Sequence, residues 1–164
     1  MDYLKYDNCY TDHGLPINRY TAMSNALTEA YKTSDTSVFY SLCEWGRENP
    51  AVWASGIANS WRISGDISDN WQSIVTRAEI TAPLWRYSGP ALGWNDPDML
   101  EVGNGGCTDI EYQTHFSLWA MLKAPLIIGN DVRMSAEIRP ATIEILSNKE
   151  VIAVNQVSVY CSIP

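Results

Sequence analysis

Asp7 and Asp66 are the residues of this chain whose settings suit covalent and proton chemistry together. Asp7 closes the run Tyr3-Leu4-Lys5-Tyr6-Asp7-Asn8-Cys9. Successive side chains of a strand point to opposite faces, so Lys5 and Asp7 share one face. A neighbouring ammonium favours the charged carboxylate, and Asp7 is expected to stay ionised at neutral or mildly acidic pH. Asp66 follows Asn59-Ser60-Trp61-Arg62-Ile63-Ser64 and Gly65. Beside an ionised Asp7 it would keep its proton more readily, because like charges resist a second ionisation. Arg62, one helical turn's length before it, opposes that and is expected to hold a substrate hydroxyl or Glu44. Two carboxyl groups about 5 Å apart, one ionised and one protonated, can run a double displacement at an acetal carbon. The same residues also suit a salt-linked strand end and a solvated loop, and the pair alone does not choose.

The elements that must position them alternate. Residues 3–7 read as a buried strand. Ala22, Met23, Ala26, Leu27, Ala30 and Tyr31 then recur at helical spacing, and Ser34-Asp35 breaks the helix. Ser37 to Cys43 is β-branched and aromatic, a second strand that ends in Glu44-Trp45-Gly46. Residues 59–64 form a short third strand, and Ser68 is placed as the N-cap of a helix over 69–80. Pro83 to Pro90 reads as loop. Pro97 disfavours a central strand in Gly93-Trp94-Asn95-Asp96-Pro97-Asp98-Met99-Leu100. Thr108 and Glu111 form a capping box before a helix that carries Phe116, Trp119, Ala120 and Leu122. Pro125 to Gly129 is predicted as another buried strand, and Pro140 opens a helix to about Ser147. Strand and helix in alternation argue for parallel βα units. The polar residues Asp7, Glu44, Asp66 and Asp98 gather just after strands, where barrels and doubly wound sheets both place their chemistry. About five units are visible, too few to close an eight-stranded barrel.

Composition narrows the partners. The 164 residues carry a net charge of −8, and the few lysines and arginines are scattered. Nucleic-acid binding needs clustered positive charge and is excluded on that ground. No apolar run approaches the ~20 residues that span a membrane, so no membrane partner is expected. The residues after Met1 lack the basic segment and apolar stretch of a signal peptide. Seven Trp and nine Tyr against two Phe supply flat faces with polar handles, suited to sugar rings or to a large core. The acidic residues have no compact ligand pattern, so neither a metal nor another cofactor is expected. His13, in a turn, and His115, on a helix beside core aromatics, are not assigned to catalysis. Asp69 reads as a helix first-turn charge and Asp96 as a structural hydrogen-bonding residue, with Asp98 nearer the pocket rim. The four cysteines, Cys9, Cys43, Cys107 and Cys161, show no C-x-x-C spacing. Free thiols and a bridge both remain open for Cys9 and Cys43, the bridge being worth about 4 kcal/mol in the chain-entropy model.

Several long motifs, in order, closely resemble the α-galactosidases of glycoside hydrolase family 27. Residues 3–9 resemble the nucleophile segment and residues 59–69 the acid/base segment. Residues 93–106, His115 to Ala120, Lys123 to Gly129 and Val151 to Gln156 continue the likeness. The resemblance implies an α/β fold, part of a (β/α)8 TIM barrel covering about units 4 to 8. It implies that residues 1–156 are the C-terminal portion of that catalytic barrel and residues 157–164 a non-matching tail. It implies a retaining hydrolase that releases terminal α-linked D-galactose, with Asp7 as nucleophile and Asp66 as acid/base. Lys5, Glu44, Trp45, Arg62 and Asp98 would contact the sugar, Glu44 and Trp45 near its 2-position. The bulk of Glu44 would favour galactose over N-acetylgalactosamine. Cys9 and Cys43 would form a disulfide. The partners would be α-galactoside oligosaccharides or glycoconjugates, and the full-length protein a possible homodimer. Its place would be secreted, vacuolar or lysosomal.

The likeness also has gaps. The family's first three βα units, which supply further sugar contacts and close the barrel, have no counterpart here, nor does its C-terminal β-sandwich. Cys107 stands where the family usually has Met, and Cys161 has no obvious partner. The 164-residue chain is expected to be a partial chain, inactive by itself. The alternatives are an α-N-acetylgalactosaminidase, a β-L-arabinopyranosidase, or a non-catalytic half-barrel that binds carbohydrate or acts as a scaffold.

Overall fold

The computed structural model describes residues 1–11, 14–132 and 139–157. His13, Cys161 and nearly all of the tail lie outside them. Strands β1 (Tyr3–Asp7), β2 (Phe39–Cys43), β3 (Ser60–Arg62) and β4 (Trp94–Asp96) form one sheet in the order of the sequence. Every pairing is parallel. Helices α1 (Pro16–Ser34), α2 (Pro50–Trp53), α3 (Trp71–Thr81), α4 (Asp109–Met121), α5 (Pro140–Leu146) and α6 (Lys149–Gln156) complete the chain. From β1 to α4 this is the α/β alternation expected of βα units, whereas α5 and α6 follow α4 with no strand between them among the described residues. Among the described residues β1 pairs on one edge only, with β2.

Alternation along the strands divides the sheet into two faces. Leu4, Tyr6, Tyr40, Leu42 and Trp61 pack with Tyr20 of α1 and with Ala51 and Ala54 of the α2 region. The register places the intervening residues in rows on the other face. Lys5, Ser41 and Ser60 form one row, and Asp7 pairs with Cys43 as Arg62 pairs with Asp96 in the next. That face is polar, and its upper row carries the candidate chemistry. A second core joins Ile74 and Ala78 of α3 to Leu100, Val102, Tyr112, Phe116 and Trp119.

Several boundaries differ from expectation. Helix α3 begins at Trp71, and its cap is Asn70, whose side chain accepts the Ser73 N–H at 2.9 Å. Ser68 is not the cap; its own N–H donates to Ser73 Oγ. A strand does form at Trp94–Asp96, and it stops at the residue before Pro97, which has no N–H for the ladder. The loop expected over Pro83 to Pro90 is in its first half part of a 3₁₀ helix, Ala82–Tyr87. Pro125 to Gly129 is not a buried strand. It keeps one parallel bridge, Leu100 to Ile128, and Ile128 is 47% exposed. No further strand among the described residues flanks it. The Thr108–Glu111 capping box is formed as expected.

Candidate active site

Asp7 ends β1, and its ladder partner is Cys43 at the end of β2. The Asn8 N–H extends the ladder to Cys43 O at 2.9 Å. The Asp7 carboxylate accepts the Cys9 backbone N–H at 3.0 Å, and the thiols of Cys9 and Cys43 hydrogen-bond to it as well. Partial burial pushes its pKa up. The two thiols, the Cys9 amide and the Lys5 ammonium together outweigh that and hold it below the ordinary carboxylate value. Lys5 is the smallest of these causes, although the sequence singled it out. Asp7 and Lys5 are both exposed on the polar face.

The expected Cys9–Cys43 disulfide is not formed. Both cysteines are free, Cys9 exposed and Cys43 buried. Burial, followed by the Asp7 hydrogen bond, pushes the Cys43 thiol up to about 12.

Past Cys43 the chain turns sharply, with Trp45 at φ 60° and Gly46 at φ 74°. A Cβ on Gly46 would overlap the Ile63 carbonyl, so only glycine lets this turn lie against the end of β3. Glu44 is fully buried. Its Oε1 accepts the Glu48 N–H at 3.0 Å, while Oε2 has no partner among the described residues. Burial raises its pKa against that hydrogen bond. Trp45 is half-buried, with the Arg47 guanidinium 4.9 Å from its ring centre.

Arg62 is the hub of the β3 end. It is 2% exposed, and its Nη2 meets Asp98 Oδ2 at 2.8 Å, Asp66 Oδ1 at 3.2 Å and Ser64 O at 3.1 Å. It binds the two aspartates, and no contact with Glu44 is formed. Asp98 is not at a rim. Its side chain is 8% exposed, because the Arg62 charge draws it inward and its Oδ2 also accepts the Ile67 N–H at 2.9 Å. Its backbone carbonyl takes the Trp119 indole N–H at 2.7 Å, which ties the site to the second core. Asp96 accepts the Asp98 N–H at 2.8 Å, the structural part expected of it. Burial raises its pKa, partly offset by that bond and by Arg62.

Asp66 itself is exposed, its side chain at 77%. It lies four residues beyond β3, with β2 between it and the strand of Asp7. Two strand spacings are roughly 10 Å, which the overhanging loop must shorten for the carboxylates to meet. That loop is held from below. Asp69 precedes α3 rather than lying in its first turn. Its carboxylate accepts Tyr112 OH at 2.8 Å and the Gly106 N–H at 2.5 Å. The Tyr112 oxygen in turn accepts the Gly105 N–H at 2.6 Å and the Cys107 N–H at 3.2 Å. Sequence reasoning missed Asp69 and Tyr112 as anchors of this loop. The signal open to it was Asp69 standing ahead of a better cap, Asn70. Among the described residues no cluster of His, Cys, Asp and Glu is arranged to hold a metal ion.

The family model described as Alpha galactosidase A matches residues 1–157. An alpha-galactosidase of Oryza sativa is 56% identical over 156 residues, which are 95% of this chain and 36% of the rice protein. Alpha-galactosidase 3 of Arabidopsis thaliana is 56% identical over 157 residues, 34% of its own length. The solved alpha-galactosidase of Saccharomyces cerevisiae superposes with a TM-score of 0.85 at 42% identity, over 96% of this chain and 39% of that one. A β-L-arabinopyranosidase of Geobacillus stearothermophilus shares the fold at a TM-score of 0.74 and 24% identity. The chain thus spans between a third and two-fifths of the relatives it matches. Aligned over nearly all of its own length with one family, it belongs to the melibiase-type α-galactosidases.

Proposed function

We propose that residues 1–156 form about units 4 to 8 of a (β/α)8 barrel and carry the catalytic pair of a retaining α-galactosidase. Asp7 attacks the anomeric carbon of a terminal α-galactosyl unit while Asp66 passes its proton to the departing glycosidic oxygen. Asp66 then takes a proton from water, and that water's oxygen displaces Asp7 from the sugar. Lys5 donates to ring hydroxyls from the same face as Asp7. Glu44, Trp45 and Arg62 are assigned to the 2-position; Glu44 Oε2, buried and without a hydrogen-bond partner among the described residues, would have to turn outward to meet its hydroxyl. A carboxylate of that bulk leaves little room for an acetamido group. Asp98 is given the task of fixing Arg62 and the Asp66 loop.

The observation that carries this reading is Asp7: an exposed strand-end carboxylate that accepts the Cys9 amide, shares its face with Lys5 and has its pKa lowered by its neighbours. A nucleophile needs that charge at the mildly acidic pH of a secreted, vacuolar or lysosomal enzyme. Among the described residues β1 pairs on one edge only, and Lys5 and Asp7 are exposed, so in this reading further βα units complete the pocket.

The test replaces the matching segment of the rice enzyme with residues 1–157 and follows p-nitrophenyl α-galactoside hydrolysis. The graft hydrolyses it faster than the corresponding N-acetylgalactosaminide and β-L-arabinopyranoside. Asp7→Asn and Asp66→Asn each lower kcat/KM by about 10²–10⁴-fold. A folded graft without activity, or an Asp7→Asn graft that keeps it, sinks the proposal.

A further inference from the structure

The peptide group joining Asp66 to Ile67 is held at both ends. Its carbonyl oxygen, Asp66 O, accepts Arg77 Nη2 at 2.6 Å. Its N–H, on Ile67, donates to Asp98 Oδ2 at 2.9 Å. The same guanidinium donates through Nε to Gly65 O at 3.0 Å, so its planar fork grips two successive carbonyls. None of these bonds belongs to a helix or a strand; residues 63–70 lie between β3 and α3. Arg77 has a firm base, because its neighbours on α3, Ile74 and Ala78, are buried in the second core. Asp98 is fixed from its own side by Arg62 and by the Trp119 indole.

The Asp66 side chain, by contrast, has little to hold it. It is 77% exposed, and its ion pair with Arg62 is 3.2 Å long. Where its carboxyl group points is therefore set by the peptide plane behind it. We propose that Arg77 is a positioning residue for Asp66: it fixes that peptide plane so that the carboxyl group faces the glycosidic oxygen. The inference rests on the acid/base role given to Asp66 above. Arg77 touches neither the sugar nor the reacting atoms.

A residue that only tied a loop to a helix would affect every substrate alike. A residue that aims the general acid has a narrower signature. When raffinose reacts, the bond between the anomeric carbon and oxygen breaks as Asp7 bonds the carbon, and the departing oxygen must receive the Asp66 proton. A 2,4-dinitrophenolate leaves without one. In the rice graft, Arg77→Met is expected to lower kcat/KM for raffinose by about 10²-fold, as a misplacement of about 1 Å does. For 2,4-dinitrophenyl α-galactoside the same variant is expected to lose less than about threefold, since no proton transfer is at stake. Arg77→Lys, which can still reach one carbonyl, restores part of the raffinose rate. Equal losses on both substrates, or no loss on either, overturn the inference.

Hydrogen exchange on the 164-residue chain gives an answer that does not need activity. Arg77→Met should speed exchange of the Ile67 amide at least about tenfold while the α3 amides keep their protection, because only a local anchor is lost. An unchanged Ile67 amide, or loss of α3 protection with it, overturns the inference too. A wild-type graft that fails to hydrolyse either galactoside counts against the proposed function, and the exchange result then decides alone whether Arg77 sets the Asp66 peptide.

Discussion

His115 should make this fold lose stability in acid, by an amount that can be worked out. The ring is fully buried on α4, edge-on to Trp119 with 4.1 Å between centres. Its Nε2 accepts the Glu101 N–H at 3.1 Å. Protonation would place a second N–H against that donor and a charge in the core. Burial accordingly lowers the His115 pKa from 6.5 to about 4. A group whose folded pKa is depressed binds fewer protons folded than unfolded. Its contribution is complete above pH 6.5 and is lost as pH falls toward 4. At about 1.4 kcal/mol per pH unit, the gap costs about 2 kcal/mol by pH 5 and about 3 kcal/mol by pH 4. Carboxylates titrate in the same range, so the measurement is a comparison. Urea unfolding at pH 7, 6, 5 and 4.5 is followed for the wild type and for His115→Gln, whose side-chain oxygen can still accept the Glu101 amide. The variant is less stable at pH 7 but loses less on acidification, and the two curves converge by about 2 kcal/mol at pH 5. Curves that stay parallel from pH 7 to pH 5 would refute the claim that His115 is held neutral by burial.

Two further perturbations probe the site without substrate. With Cys43 buried and its thiol raised to about 12, while Cys9 is exposed, iodoacetamide at pH 8 should alkylate Cys9 well before Cys43 in the native chain. Because the Asp7 carboxylate raises the Cys9 thiol, Asp7→Asn should speed Cys9 alkylation; a rate unchanged or slower, read by peptide mass spectrometry, contradicts the thiol–carboxylate contact. Gly106→Ala should cost about 1–3 kcal/mol of stability in a thermal melt, because a Cβ there would overlap the Asp69 carbonyl and crowd its carboxylate. An unchanged melting temperature would mean that the loop over residues 103–107 is not pressed against the Asp66 loop.

What could be read from the sequence was what short range decides. Lys5 and Asp7 share a face because strand periodicity is two, and the Thr108–Glu111 box needs only three residues of helix. The strand-end positions of Asp7, Glu44 and Asp66 follow from the same local patterns. What escaped depends on partners remote in sequence. Asp98 sits in Asp-Pro-Asp, which by itself looks like a solvated turn; Arg62, on the neighbouring strand, draws it into the interior. Asp69 looks like a first-turn charge until Tyr112 arrives from another helix. Arg77 looks like an ordinary polar helix residue, and nothing nearby says that its fork closes on Gly65 and Asp66. Asp7 shows both sides of this within one residue. Its charge was legible from Lys5, two positions away, but the larger causes are its own neighbour Cys9 and Cys43 across the ladder. A disulfide would have removed both thiols as donors to that carboxylate. With both thiols free, the ends of β1 and β2 lower the Asp7 pKa as well as closing the ladder beside it.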